Sequence, residues 1–315
     1  MREGLLSRIA ETLFWTGRYI ERADDTARMI DAYLHSLLAE PHADEDAGCQ
    51  ALLAILGQPA PDDARPDVET ALCLLAYDEP SPSAIAGALR AARAGARSVR
   101  EVISSEMWEC LNVTVHELPA QRRAADRLGP HVYLRFVRER AALFFGLADA
   151  TMSHDDAWRF LVLGRSLERI DMTARLLLAR TATASHELSW ITLLHACGAY
   201  ESFIRTRSQA ADTRQAPDFL ILDRLFPRSV LRSLATSEEC LAGLEPGRTL
   251  PGIGDPARRP LGRLLTSLEY TDPEMLPAQL PELLTTLQLA CMAASDAITE
   301  RYFTPAHAIA WEHEG

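Results

Sequence analysis

The stretch GRYIERADDTAR at residues 17–28 returns as GRSLERIDMTAR at residues 164–175, with eight of the twelve positions identical. Most of the retained letters are charged or polar, whereas a duplicated packing surface would mainly need its apolar residues. The chain has kept a polar arrangement, and any fold it adopts must accommodate that arrangement twice. At about 100° per residue, Gly17, Glu21, Asp24 and Arg28 fall in one narrow helical stripe, as do Gly164, Glu168, Asp171 and Arg175. Beside each stripe runs an apolar face: Leu13, Ile20, Ala23, Ala27 and Ile30 in the first copy, Phe160, Leu167, Ile170, Ala174 and Leu177 in the second. The polar stripe therefore borders the core.

Apolar residues recur at helical spacing almost throughout, and no run of alternating β-branched residues bounded by turns stands out. The expected fold is all-α, a multi-helix bundle. Helices are expected at 5–40, 49–57, 67–78, 82–117, 130–153, 155–183, 188–211, 228–244, 257–271 and 277–303. Breakers separate them at 41–48, 58–66, 78–83, 154–156 and 245–256. Asp155 or Ser153 is placed to cap the second repeat helix, and Ser81 with Pro82 suits the start of the helix that follows. The repeat offset also pairs Asp149-Ala150 with Asp296-Ala297. Residues 1–315 are expected to form a single domain of two pseudo-repeated halves, about 1–152 and 153–315, packed as one body.

Within each copy, Asp24 to Arg28 and Asp171 to Arg175 are i,i+4 pairs that bridge along one helix. Arg18 with Arg22, and Arg165 with Arg169, are like-charge pairs at the same spacing, and each wants an anion. Glu21 cannot close on Arg22, nor Glu168 on Arg169, because sequence neighbours on a helix do not face each other. Mid-helix Gly17 and Gly164 each cost about 1 kcal/mol relative to Ala and let another helix or a ligand approach the backbone. Two readings stay open. One is an interhelical salt-bridge lattice with the glycines at the crossing. The other is a cleft in which Glu21 and Glu168 orient an amine or act as acid and base while Arg18, Arg22, Arg28, Arg165, Arg169 and Arg175 bind a carboxylate or phosphate.

Elsewhere, Arg100 and Glu106 in RSVREVISSEMWE are candidates for the same cleft, with Trp108 expected in the core. Arg135, Arg138, Glu139 and Arg140 read as a surface cluster. Arg228, after Phe226-Pro227, suits a structural turn or a further anion contact.

The net charge of -12 argues against nonspecific binding to nucleic acid or anionic lipid, which need a basic face. The N-terminus lacks the charged-then-apolar layout of an export signal, so a cytoplasmic location is expected. Cys49, Cys73, Cys110, Cys197, Cys240 and Cys291 contain no CxxC pair, which argues against a zinc site and, in a chain with no export signal, against a disulfide framework; no metal-binding residues are expected. The nine histidines show no HExxH or ExxH pairing, so neither a di-iron bundle nor a zinc hydrolase is expected. Asp24-Asp25 and Asp155-Asp156 do not continue as the acid motif of prenyl synthases.

GRYIERADDTAR, LGRSLERIDMTAR, RSVREVISSEMWECLN at 97–112 and LDRLFPRS at 222–229 together resemble the bacterial alpha-E family, named for a helical fold with an ER motif. The likeness runs from the N-terminal LLSRIAETLFW to about residue 303. Glu21-Arg22 and Glu168-Arg169 match the ER motif, and Ser105, Glu106, Trp108 and Asn112 match the SSEMWE-LN block. The resemblance implies association with ATP-grasp amide ligases and transglutaminase-like proteins, hence a part in making or modifying peptide-like amides; it supplies no catalytic residues. Met172 in place of Asp25 and Ser166 in place of Tyr19 make the copies unequal. The chain has no Gly-rich phosphate loop, so ATP is expected to be used by a partner ligase and no cofactor by this chain. The leading expectation is an accessory or amide-forming component with an anionic acyl or aminoacyl substrate. A structural module docking the ligase, and a stand-alone enzyme acting on a small anionic metabolite, are the alternatives.

Overall fold

A computed structural model describes residues 7–39, 45–59, 66–182, 189–207, 212–245 and 255–304. The described residues contain helices and turns and no strand. In chain order the helices are α1 (Ser7–Ala39), α2 (Glu45–Ile55), α3 (Val68–Leu72), α4 (Ile85–Ser98), α5 (Ser105–Leu128), α6 (His131–Thr151), α7 (Asp156–Ala182), α8 (Trp190–Ala196), α9 (Tyr200–Arg207), α10 (Ala216–Leu222), α11 (Val230–Leu244), α12 (Arg258–Glu269) and α13 (Leu276–Ile298). Of the expected breakers at 41–48, 58–66 and 245–256, residues 41–44, 60–65 and 246–254 lie outside the described residues, and 45–48 belong to α2 rather than to a break.

The two repeat helices, α1 and α7, pack on each other more extensively than any other pair. Every residue of the two apolar faces named above is buried, each large one contributing about 1.5–3 kcal/mol on burial. Around this pair, α4, α6 and α8 pack against α1, while α11 and α13 pack against α7. The α5 helix bridges α4 and α6, and α12 bridges α11 and α13. The glycines lie where α1 and α7 come closest. A Cβ at Gly17 would sit 2.1 Å from the Leu161 carbonyl oxygen, and one at Gly164 would sit 2.0 Å from that of Phe14.

Two expected helices are each divided. The segment expected at 82–117 breaks between Ser98 and Ser105, where the Ser104 hydroxyl accepts from Met107 N and starts α5. That helix then runs through Pro119 to Leu128, well past the expected end. The segment expected at 188–211 turns at Gly198, whose φ is +61°. A short helix, α10, had no counterpart in the expectations. Asp155 caps α7 as expected, accepting from Ala157 N at 3.0 Å. Ser81 does not cap α4, whose N-cap is Ala84 with no side-chain bond.

Candidate functional site

The repeated polar stripes meet across the α1–α7 contact and exchange partners. Arg22 grips Glu168 with Nε at 2.5 Å and Nη2 at 3.1 Å, and Arg18 Nε adds 2.7 Å to the same carboxylate. In the opposite direction, Arg169 grips Glu21 with Nε at 2.6 Å and Nη2 at 3.0 Å. Each ER arginine therefore makes a two-pronged bond to the glutamate of the other copy, the strong geometry for guanidinium and carboxylate. The remaining Nη1 donates to a backbone carbonyl at the start of a neighbouring helix: Pro82 O at 3.4 Å for Arg22, Pro227 O at 3.1 Å for Arg169. Both glutamates are 1% exposed. The like-charge pair of Arg18 and Arg22 thus receives its anion from the opposite helix.

The second like-charge pair is served differently. Among the described residues, Arg165 makes only a 3.8 Å approach to Asp149 and lies over the Phe145 ring, and its buried Nε has no hydrogen-bond partner. Burial, aided by the charge of Arg169, pulls its pKa down. The second partner of Glu21 is Arg228, at 3.1 Å, which also bonds Asp24 at 3.1 Å and closes on Asp25. Pro82 is followed by Ser83 and Pro227 by Arg228. The half that supplies Arg228 thus answers Asp25, where the other copy carries Met172. Glu21, Asp24 and Asp25 come close enough to hold a metal ion, but the Arg228 guanidinium fills that place.

Burial works to raise the Glu21 carboxyl, yet the guanidinia of Arg169 and Arg228 outweigh it and hold it at about 2. Burial likewise opposes ionisation of Glu168, and Arg18 and Arg22 bring it below the ordinary value. Asp25 goes the other way: burial, with the charges of Glu21 and Asp24, raises it despite Arg228. The signs give a testable pH dependence. A depressed carboxylate stabilises fully above its unfolded pKa and loses that contribution as pH falls through the folded one. The unfolding free energy is therefore expected to drop as pH is lowered from the ordinary 4.5 towards about 2, with Asp25 opposing the trend. Urea denaturation at stepped pH checks this, and Glu21→Gln should flatten the slope.

Arg28 bonds Asp24 and Arg175 bonds Asp171, each at 2.9 Å along its own helix. Arg100 and Glu106 are not brought into the lattice: Arg100 lies over the half-buried Trp108 ring, and Glu106 is exposed in the first turn of α5. The arginines of α6 depart from the surface reading. Arg138 reaches Asp31 on α1 at 2.8 Å, and Arg140 bonds Thr114 and the Cys110 carbonyl on α5. Arg135, near Glu139, stays exposed. The cysteines are free thiols and all but Cys73 are buried. Burial pushes Cys197, Cys240 and Cys291 up to about 12, which leaves them poor nucleophiles.

Sequence reasoning missed a second group. Two adjoining cavities, about 600 and 440 Å³, share Arg28, Asp31, His35 and Arg138 in their walls. The larger adds His131 and Arg135, the smaller Ser189, Thr192 and His195. Asp31 accepts from Arg138 and contacts His131 Nδ1 at 2.6 Å. The available signal was Asp31 and His35 one helical turn apart. No described helix is long and apolar enough to cross a membrane.

A family profile described as a predicted alpha-helical domain with a conserved ER motif matches residues 5–303. Uncharacterized proteins from Mycobacterium bovis and Mycobacterium tuberculosis are 24% identical over 329 aligned positions, which cover 93% of this chain and 36% of theirs. The chain thus spans about a third of the length of the curated relatives it matches. No solved structure matches it.

Proposed function

The chain belongs to the alpha-E family, and from that premise we propose that it is a helical accessory or amide-forming component working with an ATP-grasp ligase in the synthesis or modification of peptide-like amides. The observation that carries this reading is that the ER residues are spent on one another. Arg22 with Glu168, and Arg169 with Glu21, neutralise each other in the buried α1–α7 contact. Carboxylates so held stay ionised, and they line neither of the two cavities, so Glu21 and Glu168 fasten the body rather than transfer protons. The reaction then needs a second component. In the mycobacterial relatives the matched unit accounts for 36% of the length. In this reading the halves about 1–152 and 153–315 are one duplicated unit, with α4 and α6 set on α1 as α11 and α13 are set on α7.

Substrate contact passes to Arg28, which borders the lattice and, with Arg138, lines both cavities; Arg135 lines the larger one. Three guanidinia in one cleft suit an anionic acyl or aminoacyl group. The same cleft favours a second reading, in which the chain itself acts on a small anionic metabolite.

The test is affinity purification of the tagged full chain from its native host, together with an ATPase assay of the purified chain. An ATP-grasp protein is expected to co-purify, and the chain alone to hydrolyse no ATP. Robust ATP hydrolysis by the chain alone, or no ATP-grasp protein in the eluate, would overturn the partnership.

A further inference from the structure

We propose that Asp31, His35 and His131 form a binding site for a divalent transition-metal ion of the zinc class, open towards the arginine-lined cleft between α1, α6 and α8. The proposal goes beyond the ligase partnership and is tested without it.

One donor atom from each of the three residues lies within 4.8 Å of the others. Asp31 and His35 stand one turn apart on α1, so a rigid helix presents both. His131 is the first residue of α6. Its Nδ1 lies 2.6 Å from Asp31 Oδ1, and His35 Nδ1 lies 3.7 Å from the same oxygen. Donors around an ion with bonds of about 2.1 Å are roughly 3.0–3.4 Å apart, so His131 Nδ1 and Asp31 Oδ1 need part by less than about 1 Å, and the 4.8 Å span of the group keeps His35 within reach. Binding therefore asks for small side-chain adjustments only. A neutral His131 ring that bonds the ion through Nδ1 keeps its proton on Nε2, a change of tautomer with no change of charge.

The surrounding contacts suit this use. Arg138 Nη1 holds Asp31 Oδ2 at 2.8 Å, which orients the carboxylate and leaves Oδ1 for the ion. His35 Nδ1 lies 2.7 Å from the Asp31 carbonyl oxygen, the backbone contact that fixes the tautomer of a metal-bound histidine and leaves Nε2 with its lone pair. Two imidazoles and one carboxylate select the zinc class over calcium or magnesium, which prefer all-oxygen sets. Three protein ligands also leave coordination positions open. Those positions would face the cavities whose walls include Arg28, where the ion and the guanidinia could hold an anionic ligand together. The buried Glu21, Asp24 and Asp25 group offers no such opening, because Arg228 occupies it.

Cobalt(II) is the probe, since it takes zinc sites and reports ligand geometry in its visible absorption bands. The full-length, metal-stripped chain should develop these bands on titration with cobalt, reach a one-to-one endpoint, and lose them when zinc is added. His35→Ala and His131→Ala should each weaken cobalt binding at least tenfold. His154→Ala, which removes an exposed histidine outside the cluster, should bind like wild type. His35 has a side chain 63% exposed, so its variant should melt at the wild-type temperature, and far-ultraviolet circular dichroism checks both. Absence of visible bands at millimolar cobalt, or a smaller loss in either cluster variant, would overturn the proposal.

Discussion

Arg22→Met and Arg169→Met are each expected to lower the unfolding free energy by about 3–5 kcal/mol, the usual result of removing one member of a buried ion pair. Methionine keeps much of the side-chain volume, so the effect reads charge rather than packing. Each change leaves a glutamate that is 1% exposed with one guanidinium fewer, and deprives the Pro82 or Pro227 carbonyl of its donor. Urea denaturation at pH 7 measures the loss. The competing expectation has the opposite sign. If the arginines awaited an external anion, removing one member of a like-charge i,i+4 pair would relieve repulsion, and the variants would be equally or more stable. A double-mutant cycle of Arg22→Met with Glu168→Gln should also show a coupling of more than about 1 kcal/mol.

Gly164→Ala should destabilise by about 3 kcal/mol or more, as forced overpacking does at its upper end. At an exposed mid-helix position the same change stabilises by up to about 1 kcal/mol, so the sign is diagnostic. At Gly164 the added carbon would lie 2.0 Å from the Phe14 carbonyl oxygen, a backbone atom with no rotamer to yield. The α1 and α7 helices would have to separate, lengthening the ion pairs on either side. Gly146, mid-helix in α6, is the control, because an added Cβ there would meet nothing within 4 Å among the described residues. Gly146→Ala should leave stability unchanged or raise it. A neutral Gly164→Ala would mean that the helix pair tolerates a wider spacing and that the lattice is not set by close approach.

The α1–α7 contact was legible because one stretch carried both of its requirements, a glycine for approach and unpaired charges for exchange. The direction of exchange was not, since helix periodicity places Glu21 beside the core without naming its partner. Arg228 was singled out as a turn residue or anion contact, but its partners were not legible: they come from a turn 204 residues from Asp24, and the repeat supplies no second arginine to mark them. The break between Ser98 and Ser105 escaped notice because RSVREVIS contains neither glycine nor proline. The arginines of α6 read as surface because one helix face was judged alone. Arg138 and Arg140 have long stems that carry their heads to α1 and α5. The histidine cluster joins residues 100 positions apart, beyond the reach of any local pattern.

Arg228 also sets a timetable. Chains are made at about 5–20 residues per second, so Asp24 waits about 10–40 s on the ribosome before the guanidinium 204 residues downstream exists. Glu168 has no such delay, because Arg18 and Arg22 precede it and stand ready when it emerges. The nascent first half therefore carries a helix in which Asp24 has Arg28 as its counter-charge, Glu21 still lacks Arg169 and Arg228, and the apolar face lacks α7. A polypeptide truncated before residue 228 would retain the helix while losing the counter-charge that locks it in place.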